Sequence, residues 1–285
     1  MAMSSLRLPR VCGCSCRAFF FPLAVLLFVS SGFAARQQAP PSAPPPPQQE
    51  IQPPPVQRSP RELAEMRADI LKVRKQFADA IVIYEDLLKK EPKNAELLNK
   101  TGVAYSQFGK LDQAKKYYER AIKANPKFAE ALNNLGTVNH HQRKYKRAIK
   151  LYERALKLQP ESAVFLSNLG LAYLSDKKYE EALITLRRAL QLDPQIFEHR
   201  GGGGSVLQTR SVEERTAFFF YMAKSYASLG LAERCAFYLK RAIEEGYKDI
   251  AAIQKDPAFA PVIQDPLVKE ALQLAQPAPP AKPTQ

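Results

Sequence analysis

Residues 129–162 read AEALNNLGTVNHHQRKYKRAIKLYERALKLQPES, and two helical patterns share this stretch. The first runs from Ala129 to Gln142, with Leu132 and Leu135 on its apolar side. The second runs from Lys144 to Lys157, with Tyr145, Ala148, Ile149, Tyr152, Ala155 and Leu156 recurring at helical spacing on one face. Pro160 lacks an N–H and its ring clashes with the preceding turn, so it closes the unit. Gly136 and Ala148 are small, which suits two helices that approach closely in a hairpin. Tyr152 is large enough to fill the space where they diverge.

Outward from this stretch the pattern repeats. Pro92, Pro126, Pro160 and Pro194 are spaced by 34 residues. Ala80, Ala114, Ala148 and Ala182 keep the same step, as do Gly102, Gly136 and Gly170, and Leu98, Leu132 and Leu166. Tyr84, Tyr118 and Tyr152 share it too, with Leu186 in the fourth slot. A single helix pair cannot bury its apolar face, whereas stacked pairs bury a continuous core.

This set of columns resembles the tetratricopeptide repeat, whose units ask for a large apolar residue, Leu-Gly, an aromatic, Ala, a second aromatic, Ala and Pro. Units 95–128, 129–162 and 163–196 fit. In the last of them Leu166, Leu169, Gly170, Tyr173, Ala182, Leu186, Ala189 and Pro194 occupy nearly every slot. Asn139 departs from the pattern, which usually has an aromatic there. Unit 61–94 keeps Ala80, Tyr84, Leu87 and Pro92 but carries Arg67 where Leu is expected, and is read as a degenerate first unit that caps the stack. A fifth unit is expected at 216–249, with Phe219, Met222, Ala223 and Tyr226 in its first helix and Cys235, Leu239 and Ala242 in its second. Tyr247 replaces its terminal Pro. Cys235 then sits in the small-residue column, as a buried packing residue and not a reactive thiol. The resemblance implies an all-α fold, a right-handed superhelical solenoid of antiparallel helix pairs.

The remaining segments read as punctuation. Residues 1–34 look like a secretory signal, with Arg7, Arg10 and Arg17 before the apolar run Ala18–Val29 and a cut after Ala34. An uncleaved N-terminal anchor is the alternative. The expected location is outside the cytoplasm, periplasmic or secreted. Residues 35–60 are a Pro-rich linker expected to be disordered, with extended polyproline character. Residues 197–215 contain Gly201-Gly-Gly-Gly-Ser205, whose entropy disfavours a helix, so a surface loop is expected. Ser211-Val-Glu-Glu214 has the form of a capping box that restarts the helix. Residues 250–276, punctuated by Asp-Pro, should cover the last unit, and 277–285 form a disordered tail.

Function is constrained mainly by exclusion. Removing the three Arg of the leader lowers the formal charge from +14 to +11, still strongly basic. That balance suits anionic partners without choosing among them. No HExxH, CxxC or Ser/His/Asp motif is present, and the adjacent His140 and His141 project to different sides of a helix. No catalytic residue, metal or cofactor is therefore expected. Nor does the sequence point to a small-molecule substrate. The resemblance implies a non-enzymatic scaffold that binds protein or peptide segments along the first helices. Its contact slots here are Asn99, Val103 and Ser106; Asn133, Thr137 and His140; and Ser167, Leu171 and Leu174. Related repeats that clamp a C-terminal carboxylate use Lys, Asn and Arg at slots held here by Asn99, Val103, Asn134, Val164 and Asn168, and only Asn134 agrees. No such clamp is expected. The basic residues gather in the turns and second helices, among them Lys116, Arg120, Arg147, Lys150, Arg154 and Lys157. That places them on the convex side, where a basic adaptor for a membrane surface or an acidic polymer is the second reading. An exported protein seldom meets nucleic acid, which is disfavoured as a partner.

Overall fold

The computed structural model describes residues 58–198 and 211–274, and these hold twelve helices and no strand. The leader, most of the linker, the Gly201–Ser205 run and the tail lie outside the described residues. Four helix pairs come first: α1 (Pro60–Val73) with α2 (Phe77–Lys90), α3 (Ala95–Gln107) with α4 (Leu111–Ala124), α5 (Ala129–His141) with α6 (Tyr145–Leu158), and α7 (Ala163–Ser175) with α8 (Tyr179–Leu192). A fifth pair is α9 (Val212–Ser228) with α10 (Ala232–Glu244). The chain finishes in α11 (Ile250–Lys255), a 3-10 turn at Pro257–Phe259, and α12 (Pro266–Gln273).

Local chemistry sets the ends of these helices. Each second helix stops two residues before a proline of the 34-residue series. The residue in between is extended, with φ of −125° at Glu91, −136° at Asn125, −132° at Gln159 and −146° at Asp193. A following proline clashes with helical geometry at that residue, so the helix cannot run on. Each first helix ends in a left-handed residue at one recurring slot: Lys75, Gly109, Arg143, Lys177 and Gly230. The next N–H turns back to the helix, as when Lys144 donates to the Asn139 carbonyl at 2.8 Å and Lys178 to that of Tyr173 at 2.9 Å. This is the Schellman closure, which satisfies carbonyls the helix would otherwise orphan. Capping boxes open α1 at Ser59/Glu62 and α9 at Ser211/Glu214.

The core is a stack of small-against-large contacts. Ala80, Ala114, Ala148, Ala182 and Cys235 are all fully buried. A Cβ placed on Gly102 would lie 2.6 Å from the Tyr118 ring, on Gly136 2.7 Å from the Tyr152 ring, and on Gly170 2.7 Å from Leu186. The glycine column therefore exists to seat the large side chain itself, not merely to let two backbones approach. Asn139, the departure from the aromatic slot, is buried and donates its amide to the Leu135 carbonyl at 2.8 Å. That bond removes the penalty of burying the polar group.

The fifth pair continues the stack. The helix begins at Val212, four residues ahead of the expected unit start at 216, and Phe197 is buried in the core with Ile196 rather than in an open loop. The capping box supplies the earlier start, because Ser211 and Glu214 together satisfy the first N–H groups. α9 packs on α8, as each first helix packs on the second helix before it. α12 then packs on α10 in the same manner, burying Val268, Ala271 and Leu272. Asp256 caps the 3-10 turn and Asp265 caps α12, each standing before a proline at the first helical position.

Candidate functional site: the inner face

Neighbouring first helices touch: α3 with α5, α5 with α7, and α7 with α9. The stack therefore curves toward the first helices, and their outward residues line its inner face. On that face polar side chains are linked from one pair to the next at a fixed step of 35 residues, one repeat plus one. Lys100 Nζ lies 2.6 Å from Glu65 at that step, and also 3.0 Å from Asp69, 31 residues away. Asn134 donates to Asn99 Oδ1 at 3.0 Å, Asn168 donates to Asn133 Oδ1 at 2.8 Å, and His140 Nε2 lies 2.9 Å from Ser175 Oγ. Asn133 donates in turn to Asn134 at 3.3 Å, which joins four amides into one chain, Asn99–Asn134–Asn133–Asn168. The Ser175 hydroxyl also lies 2.9 Å from the Leu171 carbonyl, to which it donates.

The nine expected contact residues separate in this geometry. Asn99, Val103, Ser106, Thr137, His140 and Leu171 are half-buried and border the face. Asn133, Ser167 and Leu174 are buried, which corrects their placement as open contacts. Asn133 is covered because its amide is spent on Asn134 and Asn168. Ser167 folds its hydroxyl back onto the Val164 carbonyl at 2.9 Å. Leu174 belongs to the core shared by α8, α9 and α10. Asn134 and Asn168, one position further along, are the amides with more exposure. The links between first helices follow a 35-residue step, one more than the 34-residue period.

Sequence reasoning also missed a charged cluster on the first pair. Asp69 accepts from Tyr84 Oη at 2.6 Å and from Lys72 at 2.9 Å, and it pairs with Lys100. Burial pushes the Asp69 carboxyl up, but hydrogen bonds from Tyr84, Lys72 and Lys100 outweigh it and hold it at about 2. The signal was available: Glu65 and Lys100 stand at the same 35-residue step. At the other end the face is filled from within. Phe220 stacks on Tyr247 at 4.5 Å, and Lys224 pairs with Asp256 at 2.7 Å. The inner face is thus charged on the first pair, amide-lined with apolar neighbours on pairs two to four, and occupied by the chain's own segment on the fifth. Among the described residues no group of three or more His, Cys, Asp or Glu could hold a metal ion.

Two family models described as Tetratricopeptide repeat match the chain, one over residues 100–163 and 142–195 and the other over 83–116. Residues 83–195 thus carry tetratricopeptide repeats. Among solved structures, it is similar to MamA from Desulfovibrio magneticus RS-1, with 18% identity over 65% of this chain and 94% of that one and a TM-score of 0.47. The first repeat domain of Spaghetti (RPAP3), solved with the HSP90 peptide SRMEEVD, shows 20% identity over 41% of this chain and 93% of its own at a TM-score of 0.40. YrrB, described as having an unusual peptide-binding site, shows 19% identity over 67% and 89% at a TM-score of 0.44. No curated protein sequence matches the chain.

Proposed function

We propose that this protein is a non-enzymatic scaffold that holds a polypeptide segment against the inner face of helix pairs two to four. The carrying observation is the connected row Asn99–Asn134–Asn133–Asn168 with Val103 and Leu171 beside it. A side-chain amide offers a donor and an acceptor together, the same pair that a peptide backbone presents. A bound segment exchanges its backbone groups for links the amides now make to each other, while Val103 and Leu171 give apolar contact. The secretory character of residues 1–34 supports a place outside the cytoplasm, in a cell-envelope assembly, with the leader cleaved or kept as an anchor. The clamp slots, with only Asn134 in agreement, support a ligand other than a chaperone tail. A peptide ending in EEVD should not bind at micromolar concentration.

The test places a photo-crosslinking residue at Val103 or Leu171 and, as a control, at Ile184 on the outer side. Crosslinks to one polypeptide from the groove positions only are expected, with binding of that polypeptide weakened by Asn134→Ala in a variant whose melting is retained. Equal crosslinking from Ile184, or indifference to Asn134→Ala, overturns the reading.

A further inference from the structure

The outer faces of the second helices differ sharply from one pair to the next. In α8 the outward slots alternate acid, apolar and basic residues, as in Glu181, Ile184 and Arg188. In α10 the same slots hold Arg234, Phe237 and Arg241 among glutamates. In α6 all five are cations: Lys146, Arg147, Lys150, Arg154 and Lys157, and every one is exposed. Lys146, Lys150 and Arg154 follow each other at four residues, and Arg154 and Lys157 at three. These are spacings at which like charges destabilise a helix. The first turn of α6 holds no acid, although α2, α4, α8 and α10 each have one there. The positive end of the helix dipole is thus met by more positive charge.

None of the five forms an ion pair within 4.0 Å with a carboxylate among the described residues. The single acid of α6, Glu153, is taken by the Tyr173 hydroxyl at 2.9 Å. The stripe runs into a cleft of about 460 Å³ lined by Arg143, Lys144, Tyr145, Lys146, Arg147 and Asp176.

We propose that the α6 stripe and this cleft form a second docking site, separate from the inner groove, for an acidic polypeptide segment. Two observations favour a polypeptide over an anionic membrane or a polyphosphate. The five stripe residues carry no apolar side chain to enter a bilayer. The cations also recur about every 6 Å along the helix axis. Carboxylates four residues apart on an acidic helix keep that step, and alternate residues of an extended chain, about 6.6 Å apart, nearly do. Repulsion within the stripe is relieved when carboxylates lie between the cations.

The test uses the full chain and fluorescence anisotropy. The probe is a labelled peptide of alternating Glu and Ser, and its control replaces each Glu by Gln. The Glu peptide should bind and weaken steeply as salt rises from about 50 to about 200 mM, while the Gln peptide should not bind. Lys150→Glu with Arg154→Glu should lower affinity about tenfold or more, with an unchanged or higher Tm because two like-charge contacts disappear. If that pair of changes unfolds the chain, Lys150→Gln with Arg154→Gln serves and should lower affinity several-fold. Asn134→Ala should leave binding of the Glu peptide unchanged, which separates this site from the groove. Equal binding of the Gln peptide, unchanged affinity in the altered chain that folds, or binding to phosphatidylserine vesicles without binding to the Glu peptide overturns the proposal.

Discussion

In the third helix pair Gly136 lies under the ring of Tyr152; in the fifth, Ala223 stands in the glycine slot and Leu239, sixteen residues on, in the tyrosine slot. Both second-helix residues are buried, Tyr152 at 1% exposure and Leu239 at 0%. The two pairs also end their first helices differently, one with Arg143 and the other with Gly230 in the left-handed region. Above the third pair the inner face is open between linked amides, and above the fifth it is covered by Tyr247, Asp256 and Phe259. The two pairs thus share a small residue, a large buried one and the backbone direction after the first helix, not residue identity. In the fifth pair the added methyl group of Ala223 goes with a smaller Leu239, whereas the first pair buries Ala68 and Tyr84 in the same two slots and the fourth seats Leu186 on Gly170.

Gly136 is the most direct place to break the close contact with Tyr152. Gly136→Leu should cost about 1–3 kcal/mol, as overpacking does, and lower Tm by about 2–4 °C for each kcal/mol. Gly136→Ala should cost less. Adding Tyr152→Leu, the combination of the fifth pair, should recover part of that loss in a double-mutant cycle. A strictly additive cycle would contradict direct coupling of the two positions. Next in size is Asn168→Ala, which leaves the buried Asn133 oxygen without its donor. A loss of about 1–2 kcal/mol is expected by thermal or urea melting. Arg143→Gly, copying the fifth pair, should stabilise by about 0.5–1 kcal/mol. It removes left-handed strain at a side-chain residue, less the extra freedom that glycine brings to the unfolded chain.

The first pair extends the comparison to a charged solution. Asp69 titrates lower in the fold, at about 2, than its ordinary value of 3.8. Its contribution is therefore fully present above about pH 4 and is lost as pH falls toward 2. In Asp69→Asn the fall in Tm over that window should be smaller than in the unaltered chain. The smallest effect belongs to the fifth pair's small-residue column. Burial pushes the Cys235 thiol up to about 12, so alkylation at neutral pH, read by peptide mapping, should leave Cys235 unmodified until the chain is denatured.

Much of this was legible in one dimension because the repeat writes each constraint several times. Pro92, Pro126, Pro160 and Pro194 end four helices for one reason, and Ser211/Glu214 mark a helix start through local hydrogen bonds alone. The site was less legible. Slot counting chose Asn133 and Ser167 as contacts, yet both are buried, because exposure depends on how one first helix is offset against the next. The partners of Asp69 lie on three different helices and share no local pattern. Phe220 and Lys224 fall in groove slots, but the segment after Gly246 returns to cover them.

By itself the sequence determined where helices begin and end, which face of each is apolar, and that small and large residues alternate through the stack. Those outcomes follow from backbone sterics and from burial of periodic side chains, which act over one or two turns. Only the tertiary structure decided which polar residues of the inner face link to one another and which remain open. It also decided that the α6 cations stand without carboxylate partners among the described residues. Both depend on the register between helices some 35 residues apart in sequence, and that register is set by packing across the whole stack.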